Sequence, residues 1–199
     1  MPDVTKEMVV ELREKTGAGM MDCKRALQEA AGDMEQATVV LRKKGLADAK
    51  KRSGRATNAG SVASYIHLGG RIGVLIEVNC ETDFVARLDG FQELVKDLAM
   101  QVAASSPRYV SRDDVPEPVL AREKEIYASQ IEGKPEHVVE KIITGKLEKF
   151  YQTVCLLDQP FIREEKKSVA DLVKDFVAQT GENCQVRRFA RFELGEDLD

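Results

Sequence analysis

The side chains best suited to chemistry lie close together near the middle of the chain. Glu77, Glu81 and Asp83 are carboxylates spread over seven positions, and Cys80 lies among them. Paired carboxylates can act as general acid and general base, and a thiolate can act as a nucleophile. Neither histidine is close to Cys80 in the sequence, although the fold could bring one near. Hydrolysis is therefore one hypothesis for this segment, and no phosphate-binding glycine loop accompanies it.

A different hypothesis arises from the tip, which we define as Thr82–Arg87. The tip follows the apolar run Ile72–Cys80 and places Asp83 beside Phe84. A carboxylate is costly to bury and an aromatic ring is favourable to bury, so a core seldom contains the two side by side. A projecting segment that contacts another molecule could use both groups. In the alternative, Phe84 packs into the protein's own core and Asp83 merely caps a helix.

The composition indicates a soluble, globular chain. Of its 199 residues, 43% are hydrophobic and 32% are charged, and the formal net charge is −4. That charge argues against a dedicated nucleic-acid-binding protein, although local patches can differ from the average. No apolar run approaches the roughly 20 residues that span a bilayer. The N-terminal residues include acids, unlike a signal or transit peptide. We expect a cytoplasmic protein without a membrane segment.

The four cysteines, Cys23, Cys80, Cys155 and Cys184, do not form a metal-binding pattern. They are scattered without a C-x-x-C pair, whereas zinc sites need closely spaced ligands. We expect buried, reduced thiols and no bound metal or cofactor. Cys184 begins a predicted strand, so an intermolecular disulfide is the alternative if that strand lies at a subunit contact.

Apolar residues at helical spacing predict three short helices over residues 4–44. Thr5 can cap the first helix, and Gly17 and Gly19 separate it from the second. The apolar stripe of the second helix begins at Met20. Three short helices bury few residues, so this unit should be only marginally stable alone.

The basic segment Arg42–Arg55 follows these helices and contains seven basic residues and one acid, Asp48. One interpretation is a solvated helix end followed by a linker, since cations suit a helix C-terminus. The other is a basic arm that binds phosphates or an acidic protein surface. This segment is the sole support for a nucleic-acid-binding function, because no aromatic residues alternate with its cations and no RNA-binding module is recognisable.

From Ser61 onward the apolar residues alternate, and this predicts strands. A hairpin should run from Ser61 to Cys80, with Gly69 and Gly70 as a two-residue turn. Helical patterns then dominate, with a predicted turn at Gln159–Phe161, until alternation returns over Cys184–Leu194. The last strand should join the hairpin, because two strands alone are marginally stable.

These elements predict an α+β fold in two domains. Residues 1–55 should form a three-helix N-terminal domain with a basic linker. Residues 56–199 should form a core in which a three-stranded antiparallel sheet packs with helices.

Several longer motifs resemble those of the elongation factor Ts family and occur in that family's order. They are Leu12–Lys24, Glu77–Arg87, Glu132–Pro135, Asp158–Phe161 and Arg188–Glu193. The resemblance covers almost the whole chain. It implies that the N-terminal helices form a ubiquitin-associated-like unit. It also implies that the chain is a guanine-nucleotide exchange factor for elongation factor Tu, without bond chemistry of its own.

The resemblance assigns roles to particular residues. It implies that the partner's magnesium ion is displaced by Thr82, Asp83, Phe84 and Val85. Phe84 would enter a gap between partner helices. Partner binding falls to Arg87, which could also pair with nearby acids, and to a stretch around the first glycine turn: Arg13, Lys15, Thr16, Gly17, Ala18, Gly19, Met20 and Met21. For that stretch the alternative is an ordinary helix turn with methionines packed in the core.

The sequence differs from longer members of the family in one respect. Those members repeat the hairpin-and-helix core and add a helical hairpin and a C-terminal helix, whereas only one hairpin is visible here. The chain therefore resembles the short form of the family. That form implies a homodimer, in which two chains present their cores together.

Overall fold

The computed structural model describes residues 4–131 and 135–197, so Glu132–Lys134 of the third family-like motif lie outside the described residues. The helices are α1 (Lys6–Thr16), α2 (Met20–Glu29), α3 (Met34–Arg52), α4 (Asp83–Ala86), α5 (Asp89–Ser105), α6 (Glu117–Ser129), α7 (Glu136–Val154) and α8 (Val169–Thr180). The strands are β1 (Ala59–Ile66), β2 (Ile72–Cys80), β3 (Pro160–Phe161), β4 (Glu164–Ser168) and β5 (Cys184–Glu193). The predicted α+β class is confirmed.

The three predicted N-terminal helices are present and share a small apolar core. The Thr5 side chain caps α1 by accepting a hydrogen bond from the Met8 amide at 3.3 Å. Gly17 ends α1 with φ at 69°, in the left-handed region where a residue without a Cβ is favoured. The core consists of Val9, Leu12, Cys23, Ala26, Leu27, Ala37 and Leu41.

The third helix is longer than predicted, and the basic linker is mostly helical. The sequence interpretation ended this helix before Gly45, but α3 continues to Arg52. A Cβ built on Gly45 would lie 2.7 Å from the Cβ of Ala178 in α8, so this glycine permits close helix packing and does not end the helix. Beyond it, Arg52 donates a hydrogen bond to the carbonyl of Val177 at 3.5 Å. Contact with α8 therefore supports the extra turns.

The main sheet has the order β1-β2-β5, so the last strand joins the hairpin as predicted. The Leu194 amide, just after β5, bonds to the Arg71 carbonyl, just before β2, and the two strands are therefore antiparallel. The predicted two-residue turn was wrong. The His67 amide bonds to the Ile72 carbonyl at 2.9 Å, which leaves residues 68–71 in the loop. The glycines still supply the left-handed conformations, with φ of 88° and 67°.

A second, two-stranded sheet was missed. The predicted turn at Gln159–Phe161 contains β3, which pairs antiparallel with β4. The strand is only two residues long, too short for a pattern of alternation to reveal it. Buried side-chain amides position it: Gln101 accepts from the Ile162 amide at 2.9 Å and donates to the Gln159 side chain at 3.1 Å.

We expect Gln101→Leu to lower the free energy of unfolding by about 3 kcal/mol. The Gln101 side chain is fully buried. A leucine would leave the Ile162 amide and the Gln159 carbonyl oxygen without this partner, and each buried unsatisfied group costs about 1–3 kcal/mol. Urea denaturation checks the value. The matched control is Gln28→Leu at an exposed position of α2, which should change stability by less than about 0.5 kcal/mol. Equal urea midpoints for the two variants would contradict this role of Gln101.

The contacts divide the chain into two compact units. The first contains the N-terminal residues through Ser61, Val78–Leu94 and Asp171–Gln185; the second contains Val62–Glu77, Val95–Ala170 and the residues from Val186 onward. The domain division near residue 55 stays a prediction. Within the described ranges, none of the helices has the length and apolar character required to cross a bilayer.

Candidate functional site

The tip begins immediately after β2 with one short helical turn. Thr82 is the N-cap of α4, and its hydroxyl accepts a hydrogen bond from the Val85 amide at 3.4 Å. Threonine is a favoured N-cap, and Asp83 in the first turn suits the positive end of a helix. The alternative in which Asp83 serves as the cap is therefore wrong. No described residue hydrogen-bonds to the Asp83 carboxylate, which is exposed.

The tip separates its apolar side chains into buried and exposed groups. Val85 and Ala86 are buried beneath the turn. Phe84 is 84% exposed, so the interpretation in which its ring packs into the protein's own core is wrong. A phenylalanine this exposed gains almost none of the roughly 1.5–3 kcal/mol that burial provides. The ring is thus available to another molecule.

Glu182, which the sequence interpretation did not select, contacts the tip directly. Its carboxylate accepts hydrogen bonds from the Thr82 amide at 3.0 Å and from the Thr82 hydroxyl at 2.7 Å. The neighbouring residues form the converse hydrogen bond, in which the Glu81 carboxylate accepts from the Asn183 amide at 2.6 Å. These partners are about a hundred positions apart in the sequence, so no local motif could have indicated them.

The segment that carries Glu182 is itself fixed. Gly181 follows α8 with φ at 77° and bonds through its amide to the Val177 carbonyl. The Asn183 side chain donates to the carbonyls of Ser53 and Arg55, at 3.4 and 2.9 Å. The end of α8 is thereby tied to the residues after α3.

Arg87 does not have the structural role expected of it. It is the C-cap of α4 and its amide bonds to the Val85 carbonyl, but its side chain is exposed. Among the described residues it makes no ion pair, so the expected contact with nearby acids is not formed. Arg55 carries such a contact instead, 3.4 Å from the Glu81 carboxylate.

The stretch around the first glycine turn lies at the surface. Arg13, Lys15, Gly17, Gly19, Met20 and Met21 are exposed, and Thr16 and Ala18 are half-buried. The prediction that Met20 begins the buried stripe of α2 was wrong, because Met20 and Met21 are 38% and 64% exposed. Flexible thioether side chains suit an adaptable contact surface. A Cβ on Gly17 would lie 3.2 Å from the Gln179 side chain of α8, in the same compact unit as the tip.

Apart from the exposed Asp83, the groups considered for hydrolysis are paired or buried. Glu77 pairs with Arg188 at 2.7 Å, and Glu81 is bonded as described above. Cys80 is buried, and burial together with the negative charge of Glu182 raises the pKa of its thiol, which disfavours the nucleophilic thiolate. Over residues 4–131 and 135–197, no cluster of histidine, cysteine and acidic side chains could bind a metal ion.

All four thiols are free and buried. Burial raises the pKa of Cys184 to about 12, so this thiol is poorly suited to thiol–disulfide exchange. Its buried position does not favour the intermolecular disulfide that was considered as an alternative.

Part of the basic segment is engaged within the chain. Lys44 forms an ion pair with Asp22 of α2, and Arg52 and Arg55 make the contacts given above. The side chain of Lys50 lies outside the described part of the chain. These contacts favour a structural role for Lys44, Arg52 and Arg55 over a free basic arm.

One face of the main sheet is exposed and apolar. We define the exposed sheet face by Val62 and Ile66 of β1, Leu75 of β2 and Phe192 of β5, all of them at least half exposed. A Cβ on Gly73 would lie 3.1 Å from the Ile66 side chain, which places β1 and β2 side chains on the same face. Contiguous exposed apolar surface marks a binding surface more often than isolated residues do.

Comparison with known proteins gives one consistent result. The sequence model of the family described as Elongation factor TS matches residues 28–196. The chain is 64% identical to Elongation factor Ts of Anaeromyxobacter sp. (strain Fw109-5), over all of this chain and 92% of that protein. It is 64% identical to Elongation factor Ts of Moorella thermoacetica, with 96% of this chain and 95% of that protein covered. The corresponding protein of Thermotoga neapolitana is 56% identical, with coverage of 98% and 99%.

Proposed function

Since this chain belongs to the elongation factor Ts family, we propose that it is the guanine-nucleotide exchange factor that acts on elongation factor Tu in translation elongation. It binds the GDP complex of that GTPase, promotes GDP release and so permits GTP to bind. The exposed Phe84 ring on a fixed turn is the observation that carries the proposal. The proposed compartment is the cytoplasm, where the partner works.

An exchange factor needs no bond chemistry, because its effect follows from linked binding. It must bind the nucleotide-free partner more tightly than the nucleotide complex, and each ligand then weakens the other by the same factor. Every tenfold weakening of nucleotide binding requires about 1.4 kcal/mol of differential contact. A surface of modest size can supply such an energy if a few residues are well placed.

The partner's magnesium ion is a suitable target for such contacts. Mg²⁺ bridges the nucleotide phosphates and demands near-octahedral geometry, so a small displacement of its surroundings is costly. In the proposed mechanism Phe84 enters a gap between partner helices and moves the groups that order this ion. Asp83, exposed and without a described hydrogen-bond partner, competes for donors of the partner at the same place. Thr82 and Val85 keep the turn in shape.

The stretch from Arg13 to Met21, with Arg87, is the proposed second contact with the partner. Its exposed cations, glycines and methionines contact the nucleotide-binding domain and determine affinity, while Thr82–Val85 of the tip determine the rate of release. This division separates binding from displacement. It follows that substitutions in the two places should affect different kinetic constants.

We also propose that two copies of the chain associate through the exposed sheet face. The single hairpin core leaves this apolar face uncovered, and a two-fold arrangement would cover both copies with the same residues. The homodimer then carries two tips, one for each partner molecule.

Release of labelled GDP from elongation factor Tu tests the exchange function. The full-length chain, added to the preformed GDP complex with excess unlabelled nucleotide, should accelerate release by more than about 100-fold, because burial of the Phe84 ring alone can supply up to about 3 kcal/mol. Bovine serum albumin at the same concentration is the control. Release at the control rate, across a titration to high micromolar concentration, would contradict the proposal.

A further inference from the structure

The carboxylate of Glu182 uses both of its oxygens on a single residue of the tip, Thr82, at 3.0 and 2.7 Å. We infer that Glu182 is a positioning residue for nucleotide exchange, which fixes the orientation in which the tip presents Phe84. The inference rests on the proposed function and adds a residue to its mechanism. Glu182 acts through Thr82 and contacts no nucleotide.

The Thr82 hydroxyl explains how one carboxylate can determine the conformation of the whole turn. This hydroxyl donates to Glu182 at 2.7 Å and accepts from the Val85 amide at 3.4 Å. A hydroxyl hydrogen rotates to suit its strongest acceptor, and a carboxylate oxygen is a stronger acceptor than water. With its hydrogen directed at Glu182, the oxygen presents its lone pairs to the Val85 amide. The cap of α4 therefore depends on Glu182.

Such an external support is needed because α4 is only four residues long. A helix of one turn has no stability of its own, since nucleation fixes several residues for one hydrogen bond. An exposed phenylalanine also gains free energy by folding back onto nearby apolar surface. The hydrogen bonds at Thr82, together with buried Val85, oppose both changes.

Glu182 can serve this purpose because its own backbone is fixed on both sides. Gly181 ends α8, and the Asn183 amide bonds to Glu81 at 2.6 Å. Residues 81–82 and 182–183 therefore pair reciprocally: each segment offers a glutamate carboxylate to a backbone amide of the other. A carboxylate presented from such a pair loses little additional entropy when it binds Thr82.

Two variants test the inference in the full-length chain. Glu182→Ala removes both acceptors and should lower the maximal rate of GDP release about tenfold, as expected for lost hydrogen bonds to a charged acceptor. Glu182→Gln retains one acceptor oxygen and should lower it only about threefold. The half-saturating concentration should change less than about twofold, because the contacts from Arg13 to Met21 are unaffected. Glu164→Ala, at an exposed position of β4, is the matched control.

A double-mutant cycle separates positioning from a general loss of structure. If Glu182 acts through the tip, Glu182→Ala should reduce the rate less than about twofold further in a chain that already carries Phe84→Ala. Amide hydrogen exchange at Val85 should be about tenfold faster in Glu182→Ala, whether or not the partner is present. Additive effects in the cycle, an unchanged release rate or unchanged exchange at Val85 would each overturn the inference. If the wild-type chain does not accelerate GDP release from elongation factor Tu, the exchange function itself is overturned.

Discussion

Phe84→Ala should slow the release of GDP from elongation factor Tu by about 100-fold relative to the wild-type exchange factor. Burying the ring in the partner is worth up to about 3 kcal/mol, and each 1.4 kcal/mol corresponds to about a factor of ten. Alanine removes the ring and retains the helical turn, because Thr82 and Val85 supply the cap and the buried contact. Stopped-flow measurement with a fluorescent GDP analogue checks the rate.

The expected loss of rate should not be accompanied by loss of stability. Phe84 is 84% exposed, and its removal takes little away from the folded state. The thermal midpoint of the variant should therefore lie within about 2 °C of wild type, consistent with the small effects of surface substitutions. Ile126→Ala, another truncation of an exposed apolar side chain, is the matched control. It should promote GDP release from elongation factor Tu at the wild-type rate. If elongation factor Tu releases GDP at the wild-type rate in the presence of the Phe84→Ala chain, the ring has no part in the mechanism.

Leu75→Glu should convert the proposed homodimer into single chains. Leu75 lies on the central strand of the main sheet and is half exposed there. In a two-fold dimer the substitution is present on both surfaces of one interface, so two carboxylates would be desolvated without partners. We expect the dissociation constant to rise by at least about 1,000-fold, which corresponds to about 4 kcal/mol. Sedimentation equilibrium at micromolar concentration measures the change.

The control for this experiment is Ile126→Glu on α6, which introduces the same charge at an exposed position outside the sheet. It should sediment as two chain masses, like the wild type. If Leu75→Glu also sediments as two chain masses, the exposed sheet face is not the interface. If the wild type sediments as one chain mass at micromolar concentration, the homodimer itself is ruled out.

The sequence was sufficient to locate the tip because its signal is local. An apolar strand ends at Cys80, and Asp83 and Phe84 follow within four positions. These residues alone left both a projecting ring and a ring packed in the core as interpretations, and the family resemblance favoured the projecting ring. The N-terminal helices also have a local signal, because their core residues repeat at helical spacing. The strands of the main sheet were recognisable for the corresponding reason, since one side of β2 is buried along its length.

What the sequence did not reveal depends on residues that are distant along the chain. Glu182 and Thr82 are a hundred positions apart, and nothing near Glu182 distinguishes it from other surface glutamates. Similarly, the sequence interpretation ended the third helix at residue 44, whereas Gly45 continues the helix and allows the close approach of Ala178 in α8. Met20 was placed on the apolar stripe by its spacing, but it is the first residue of α2 and is 38% exposed.

The reciprocal pairing of residues 81–82 with 182–183 has a consequence for the synthesis of the protein. A ribosome releases the N-terminal helices and the hairpin early, and domains fold in the order in which they emerge. The hydrogen bonds that orient Thr82 need Glu182, which is translated a hundred residues later. A nascent chain therefore cannot complete the tip until Glu182 has left the exit tunnel. Chains that stop short of Glu182 lack this support for the tip.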